Sequence, residues 1–124
     1  MISQSDKHRL KKIVNYCNLI LDATLNVGLN YDTMLLKLSE DIIFQTSTSM
    51  MLVQLGELSR RLSDELKSEY SEIPWRTISG LRNRLVHDYE ETNWSVISGV
   101  IEDDIKPLLD YCNKILQKNS GVKR

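Results

Sequence analysis

The stretch "PWRTISGLRNRLVHDY", residues Pro74 to Tyr89, decides the fold, because it combines a helix start with an apolar stripe. Proline is favoured as the first residue of a helix, where its missing N–H needs no partner. Ile78, Leu81 and Leu85 then recur at three- and four-residue intervals, which is the spacing of one helical face. The stretch therefore predicts an amphipathic helix from Pro74 to about Tyr89.

The same periodicity predicts three more helices outward from this one. They are Ser5–Val27 ended by Gly28, Ser39–Lys67, and Trp94–Lys118 capped by Asn93. Their predicted core-facing stripes are Leu10, Ile13, Val14, Cys17, Ile20, Leu21 and Leu25; Met51, Leu55, Leu58, Leu62 and Leu66; and Ile97, Ile101, Ile105, Leu108, Cys112 and Ile115. Pro107 should kink the last helix, because proline removes a backbone donor and clashes with the preceding turn.

The connection "NYDTMLLKL", residues 30–38, is predicted to hold a single helical turn, and residues 118–124 a frayed tail. The chain of 124 residues fits one domain, residues 1–124. Five Gly and two Pro are too few for the turns of a β-sandwich or barrel. The sequence therefore predicts an all-α protein, an antiparallel four-helix bundle with one short extra helical turn.

Charge and cysteine content restrict the function. With 16 basic and 17 acidic residues, the net charge of −1 excludes a global basic field for nucleic acid. A local patch remains, because no acidic residue lies between Arg76 and His87, a run that also contains Arg82 and Arg84. Cys17 and Cys112 have no metal-ligand spacing, so we predict two buried thiols and neither metal nor cofactor. No apolar run approaches membrane-spanning length, which favours a cytoplasmic protein without a membrane partner.

Arg82 breaks the apolar pattern of its helix. On a wheel of about 100° per residue, four apolar or aromatic residues lie within about 60° of it, namely Ile78, Leu85, Val86 and Tyr89. Asn83 and His87 share another flank with Gly80, a glycine that would allow close approach by a ligand or a second backbone. A guanidinium forced inward is costly unless it is paired or opens into a wet cleft.

An arginine beside a histidine suits phosphodiester chemistry. The guanidinium can hold a phosphate and offset the charge of the transition state. Imidazole titrates near neutrality, so it can accept or donate a proton. Asn83 could orient the imidazole or hold a phosphate oxygen. The structural alternative is a salt bridge with a C-terminal helix cap.

Two blocks resemble a known family. "RNRLVHDY" is similar to the R-x4-H-x-Y signature of the HepT toxins, a branch of the HEPN superfamily. "GELSRRL" at residues 56–62 and "IPWRTISGLRNRLVHDY" at residues 73–89 resemble the two most recognisable blocks of that family. The resemblance extends over nearly the whole chain.

The resemblance implies a homodimeric, metal-independent ribonuclease in which Arg82 and His87 are catalytic and Asn83 assists. It also implies a partner, an MntA-type nucleotidyltransferase antitoxin, which silences the toxin by transferring AMP to Tyr89. Glu57 either pairs with Arg82 across two helices or is an ordinary exposed glutamate. Arg76 and Arg84 are expected to bind RNA phosphates beside Arg82.

Two other functions stay open. The bundle could be a non-catalytic binding module that docks a nucleotidyltransferase and presents Tyr89, with the motif serving only as an anion site. It could also be a purely structural helical dimer in which Arg82 forms a buried ion pair.

Overall fold

The computed structural model describes residues 2–25 and 28–120, and this described part contains seven α-helices and no strand. The helices are α1 Gln4–Thr24, α2 Tyr31–Glu40, α3 Ile42–Arg60, α4 Asp64–Glu69, α5 Trp75–His87, α6 Trp94–Asp103 and α7 Ile105–Lys118. A single 3₁₀ turn, Tyr89–Glu91, separates α5 from α6. The predicted all-α bundle is confirmed, although seven helices replace the predicted four.

The segment after α1 corrects the prediction of a single helical turn there. The predicted end of the first helix, Val27, lies outside the described residues, and α1 ends at Thr24. Gly28 follows with φ of 82°, the left-handed conformation that glycine adopts most readily. The connection after it is not one turn but the ten-residue helix α2. Asn30 and Thr33 form a reciprocal capping box at its start, which satisfies two orphan backbone N–H groups.

The predicted helix Ser39–Lys67 is wrong, because it is three separate pieces. Ser39 belongs to α2, and α3 begins at Ile42 after Asp41, whose carboxylate accepts from two backbone N–H groups. A second break separates α3 from α4. There, Ser63 caps α4 by accepting from Leu66 N, while Ser63 N donates to the buried Asp6 at 3.0 Å. Each break occurs where a side chain offers the backbone a cap.

The later helices follow the sequence more closely. Pro74 lies just before the first residue of α5, and Asn93 caps α6 by accepting from Ser95 N, as predicted. Pro107 does more than kink the last helix, which breaks at Asp104 into α6 and α7. The reason is local, since a proline at this position cannot donate to the carbonyl of Asp103 and its ring would clash with it. The helix runs to Lys118 as expected, and residues 121–124 lie outside the described part.

One apolar core joins all seven helices. α3 packs on α5 and α1, α1 also packs on α7, and α2 packs on α6 and α3. The predicted stripes mostly lie in this core, but Leu25 is exposed, and four other residues are only half-buried, namely Val14, Leu21, Met51 and Leu58. None of the described helices is long and apolar enough to cross a membrane.

Candidate functional site

The crossing of α3 and α5 positions the candidate site. Gly56 is buried in α3 and faces α5. A Cβ placed on Gly56 would lie 2.9 Å from both Cβ and N of Arg82, and 3.0 Å from the carbonyl oxygen of Ile78. Only a residue without a side chain allows the two backbones to come this close. The glycine therefore fixes where the Arg82 side chain leaves α5.

Arg82 lies at the edge of the apolar stripe and not within it. The Cβ and backbone N of Arg82 lie against Gly56, but its side chain as a whole is 35% exposed. Val86, predicted to share the apolar sector, is exposed as well. The stripe is therefore narrower than the wheel indicated and consists of Ile78, Leu81 and Leu85, all buried. The guanidinium opens to solvent, as a ligand-binding group must.

The structure brings Arg82, Asn83 and His87 together on this exposed surface. Nη1 of Arg82 donates to Oδ1 of Asn83 at 3.0 Å and lies 3.5 Å from Nε2 of His87. Asn83 thus orients the guanidinium and not the imidazole. A cation and a titratable ring side by side can bind an anion and move a proton at the same place.

Glu57 joins this group from α3. Its Oε1 lies 3.5 Å from Nε of Arg82, so the ion pair across two helices is present. The shorter contacts of Glu57 are within α3, from Arg60 Nη2 at 2.7 Å and Arg61 Nε at 2.9 Å. Hydrogen bonds from Arg60 and then Arg61 lower the pKa of Glu57 from 4.5 to about 2. One carboxylate is therefore shared by three guanidinium groups.

Sequence reasoning missed Arg60 and Arg61, although a signal was available. They follow Glu57 by three and four residues, the spacings at which side chains on one helical face meet. Their presence changes the electrostatics of the site, because three cations surround a single anion. Glu57 alone cannot compensate three positive charges, so the remaining positive charge favours the binding of an additional anionic ligand.

Arg76 and Arg84 do not extend this cluster as a single patch. Both are exposed, but they line different grooves. Arg76 shares its groove with Arg60 and Lys67, whereas Arg84 shares one with Asp88 and Glu91. Two nearby carboxylates make the Arg84 groove a poor place for a phosphate. Gly80 also lies open, with nothing beyond its own stretch of helix within 4 Å of a Cβ built on it, and the close approach of two helices is made by Gly56.

Tyr89 lies beyond the end of α5 and is half-buried. Its hydroxyl donates to Oε1 of Gln45 at 2.6 Å, and its ring meets Trp94 edge-on with centroids 5.5 Å apart. Gln45 is buried and its amide nitrogen donates to the carbonyl of Leu38. The tyrosine hydroxyl is therefore held by a hydrogen bond. Gln45 shares the buried face of α3 with Thr48 and Ser49, and nothing in the sequence signalled its contact with Tyr89.

Other reactive groups are absent from the site. Cys17 and Cys112 are buried and free, and burial raises the pKa of each thiol to about 12, so neither is a thiolate at neutral pH. Across residues 2–25 and 28–120, no three His, Cys, Asp or Glu side chains lie close enough together to hold a metal ion.

Comparison with known proteins gives one family. A family model described as "Ribonuclease HepT-like" matches residues 27–115. A candidate RNase of Caldanaerobacter subterraneus subsp. tengcongensis is 26% identical over 109 residues, covering 88% of this chain and 92% of the relative. A candidate RNase of Methanocaldococcus jannaschii is 28% identical over 51 residues, covering 41% of this chain and 47% of the relative. No solved structure matches the chain.

Proposed function

The chain belongs to the HepT-like ribonuclease family, and from this premise we propose that it is an RNA endonuclease acting as the toxin of a toxin–antitoxin pair. The observation that supports this proposal most directly is the 3.5 Å contact between Nη1 of Arg82 and Nε2 of His87 on an exposed surface. In the proposal, Arg82 binds the phosphate and His87 transfers the proton, and their short separation lets both groups act on one phosphodiester.

The proposed reaction is a transesterification that needs no metal. His87 takes the proton of a ribose 2′-hydroxyl, whose oxygen attacks the adjacent phosphorus and forms a 2′,3′-cyclic phosphate. The bond to the 5′-oxygen breaks, and this leaving oxygen takes a proton from the imidazolium or from water. Arg82, oriented by Asn83 and Glu57, offsets the charge on the pentacoordinate phosphorus. Imidazole suits both proton transfers because it titrates near neutrality.

The proposed regulation uses Tyr89. An MntA-type nucleotidyltransferase antitoxin would transfer AMP to the hydroxyl of Tyr89. In this proposal the toxin is a homodimer and acts in the cytoplasm. The contact with Gln45 means that the hydroxyl must leave its hydrogen bond to accept AMP. The added phosphate would bring negative charge toward Arg82 and His87 and repel RNA.

The test uses purified, unmodified protein in the presence of a chelator. Wild type should cleave RNA to products ending in a 2′,3′-cyclic phosphate, and His87→Ala should lower the rate by about 100-fold or more. His8→Ala is the matched control, because His8 is the other histidine of the chain and is exposed on α1. Cleavage that survives in both Arg82→Ala and His87→Ala would exclude this site.

One observation favours a second function. The guanidinium of Arg82 already has a carboxylate partner in Glu57, which is also how a structural ion pair looks. In that case the chain is a purely structural helical dimer, in which the ion pair of Arg82 serves stability alone. Growth arrest on expression, lost with His87→Ala, would favour the enzyme. Arg82→Ala that unfolds the protein, with no wild-type activity to lose, would favour a structural ion pair.

A further inference from the structure

An open groove of about 590 Å³ runs between α4 and the first half of α5, apart from the Arg82–His87 contact. Three cationic side chains line it, one each from α3, α4 and α5, namely Arg60, Lys67 and Arg76. Hydroxyl groups of Ser68, Ser71 and Ser79 line the same groove. Hydroxyls and cationic side chains are the groups with which proteins hold phosphate oxygens.

The charged residues of α4 are divided between this groove and another pocket. Lys67 and Asp64 line the groove, whereas Glu65 and Glu69 line the pocket beside Ile2. Asp64 is the one carboxylate among the residues that line the groove. Because Arg60 is paired with Glu57, the local positive excess rests on Lys67 and Arg76 against Asp64, in a chain whose net charge is −1.

Arg60 connects the groove with the candidate site. It lines the groove and also binds Glu57 at 2.7 Å. Glu57 in turn pairs with Arg82 at 3.5 Å. The groove is therefore linked to the guanidinium beside His87 through Arg60 and the shared carboxylate of Glu57, and a single strand of nucleic acid could run from one to the other.

We propose that this groove binds the phosphodiester backbone of single-stranded RNA next to the scissile phosphate. The inference rests on the proposed ribonuclease function and assigns a binding role to Arg60 and Lys67, together with Arg76. The groove holds phosphates without reading bases. The aromatic ring at its wall, Trp75, is only 7% exposed, and its indole N–H donates to the carbonyl of Tyr70. Binding is therefore tolerant of sequence and sensitive to salt.

The test compares two double variants of the full-length protein that remove the same charge. Lys67→Gln/Arg76→Gln alters the groove, and Lys11→Gln/Lys12→Gln alters exposed lysines of α1. The probe is a 2′-O-methyl RNA of about twelve nucleotides, which cannot be cleaved by transesterification. Two lost phosphate contacts should lower the slope of log K against log salt by about 1.4 and weaken binding about tenfold at 0.15 M salt. The α1 variant should bind like wild type.

Cleavage assays separate this inference from the proposed function. The groove variant should raise KM much more for a long RNA than for a dinucleotide, because a dinucleotide has no phosphate besides the scissile one to place in the groove. Equal RNA affinity in the two double variants would contradict RNA binding by the groove, even if wild type cleaves RNA. If wild type binds the probe through the groove but cleaves no RNA, the binding role of the groove is supported and the proposed ribonuclease function is contradicted. Wild type that does not bind the probe at all also overturns the groove.

Discussion

Gly56 and Arg82 face each other across the α3–α5 crossing with no room for a side chain between them, since a Cβ on Gly56 would lie 2.9 Å from Cβ of Arg82. The candidate site thus depends on a residue that has no functional group. The glycine sets the distance between the helix that carries Glu57 and the helix that carries Arg82 and His87. Four predictions follow from this and the other contacts described above.

Gly56→Ala should destabilise the protein by about 1–3 kcal/mol, because the new methyl meets a Cβ and backbone atoms that cannot move aside. Urea denaturation measures the change in the free energy of unfolding. Gly80→Ala is the matched control in another helix interior, where no described atom lies within 4 Å of the new Cβ. It should stabilise by about 0.5–1 kcal/mol, because alanine is the better helix former. Equal effects of the two substitutions would contradict the close approach.

Glu57 should contribute stability that depends on pH in a defined window. Its pKa in the folded protein is about 2, below the ordinary value of 4.5, because Arg60 and Arg61 donate hydrogen bonds to it. The contribution is therefore present above pH 4.5 and is lost as pH falls from there toward 2. Glu57→Gln should unfold more easily than wild type at neutral pH, and the difference should shrink through this window. Glu65→Gln, an exposed carboxylate of α4, is the control, and a pH-independent difference for Glu57→Gln would sink the prediction.

Cys17 and Cys112 should resist thiol reagents in the native protein. Both are buried, and burial raises the pKa of each thiol to about 12, so the reactive thiolate is scarce. We expect labelling by an aromatic disulfide reagent to follow the rate of unfolding, with rapid labelling of both thiols in denaturant. Rapid labelling without denaturant would show that these helix faces are open.

Tyr89→Phe should cost about 1–3 kcal/mol, because it leaves the buried Oε1 of Gln45 without its donor. Tyr111→Phe, on the exposed side of α7, is the matched control and should change stability by less than about 0.5 kcal/mol. Thermal or urea unfolding of the two variants measures the difference. A Tyr89→Phe variant as stable as the Tyr111→Phe variant would mean that the hydroxyl is not held by Gln45.

The core and part of the site could be predicted from the sequence because both depend on spacing along one helix. Ile78, Leu81 and Leu85 repeat at helical intervals and are buried as predicted. Arg82, Asn83 and His87 lie within six residues of one helix, and although five residues place Arg82 and His87 about 140° apart around it, the long arginine side chain closes the gap to 3.5 Å. Local rules also placed the cap at Asn93 and the disturbance at Pro107.

The remaining features depend on contacts between elements. The break between α3 and α4 was hidden because Leu58, Leu62 and Leu66 keep helical spacing across it. The partner of Gly56 lies 26 positions away along the chain, and no local pattern reveals it. The groove combines residues of three helices, so its charge could not be read from any one segment.

The interruption at Asp104 lets the last two helices of the described chain pack in two different directions. α6 packs on α2, and α7 packs on α1. A straight rod of the same residues has one direction and could follow only one of those neighbours along its length. Pro107 thus lets α6 and α7 pack on both α2 and α1, so that separating either pair of helices would loosen the other pair.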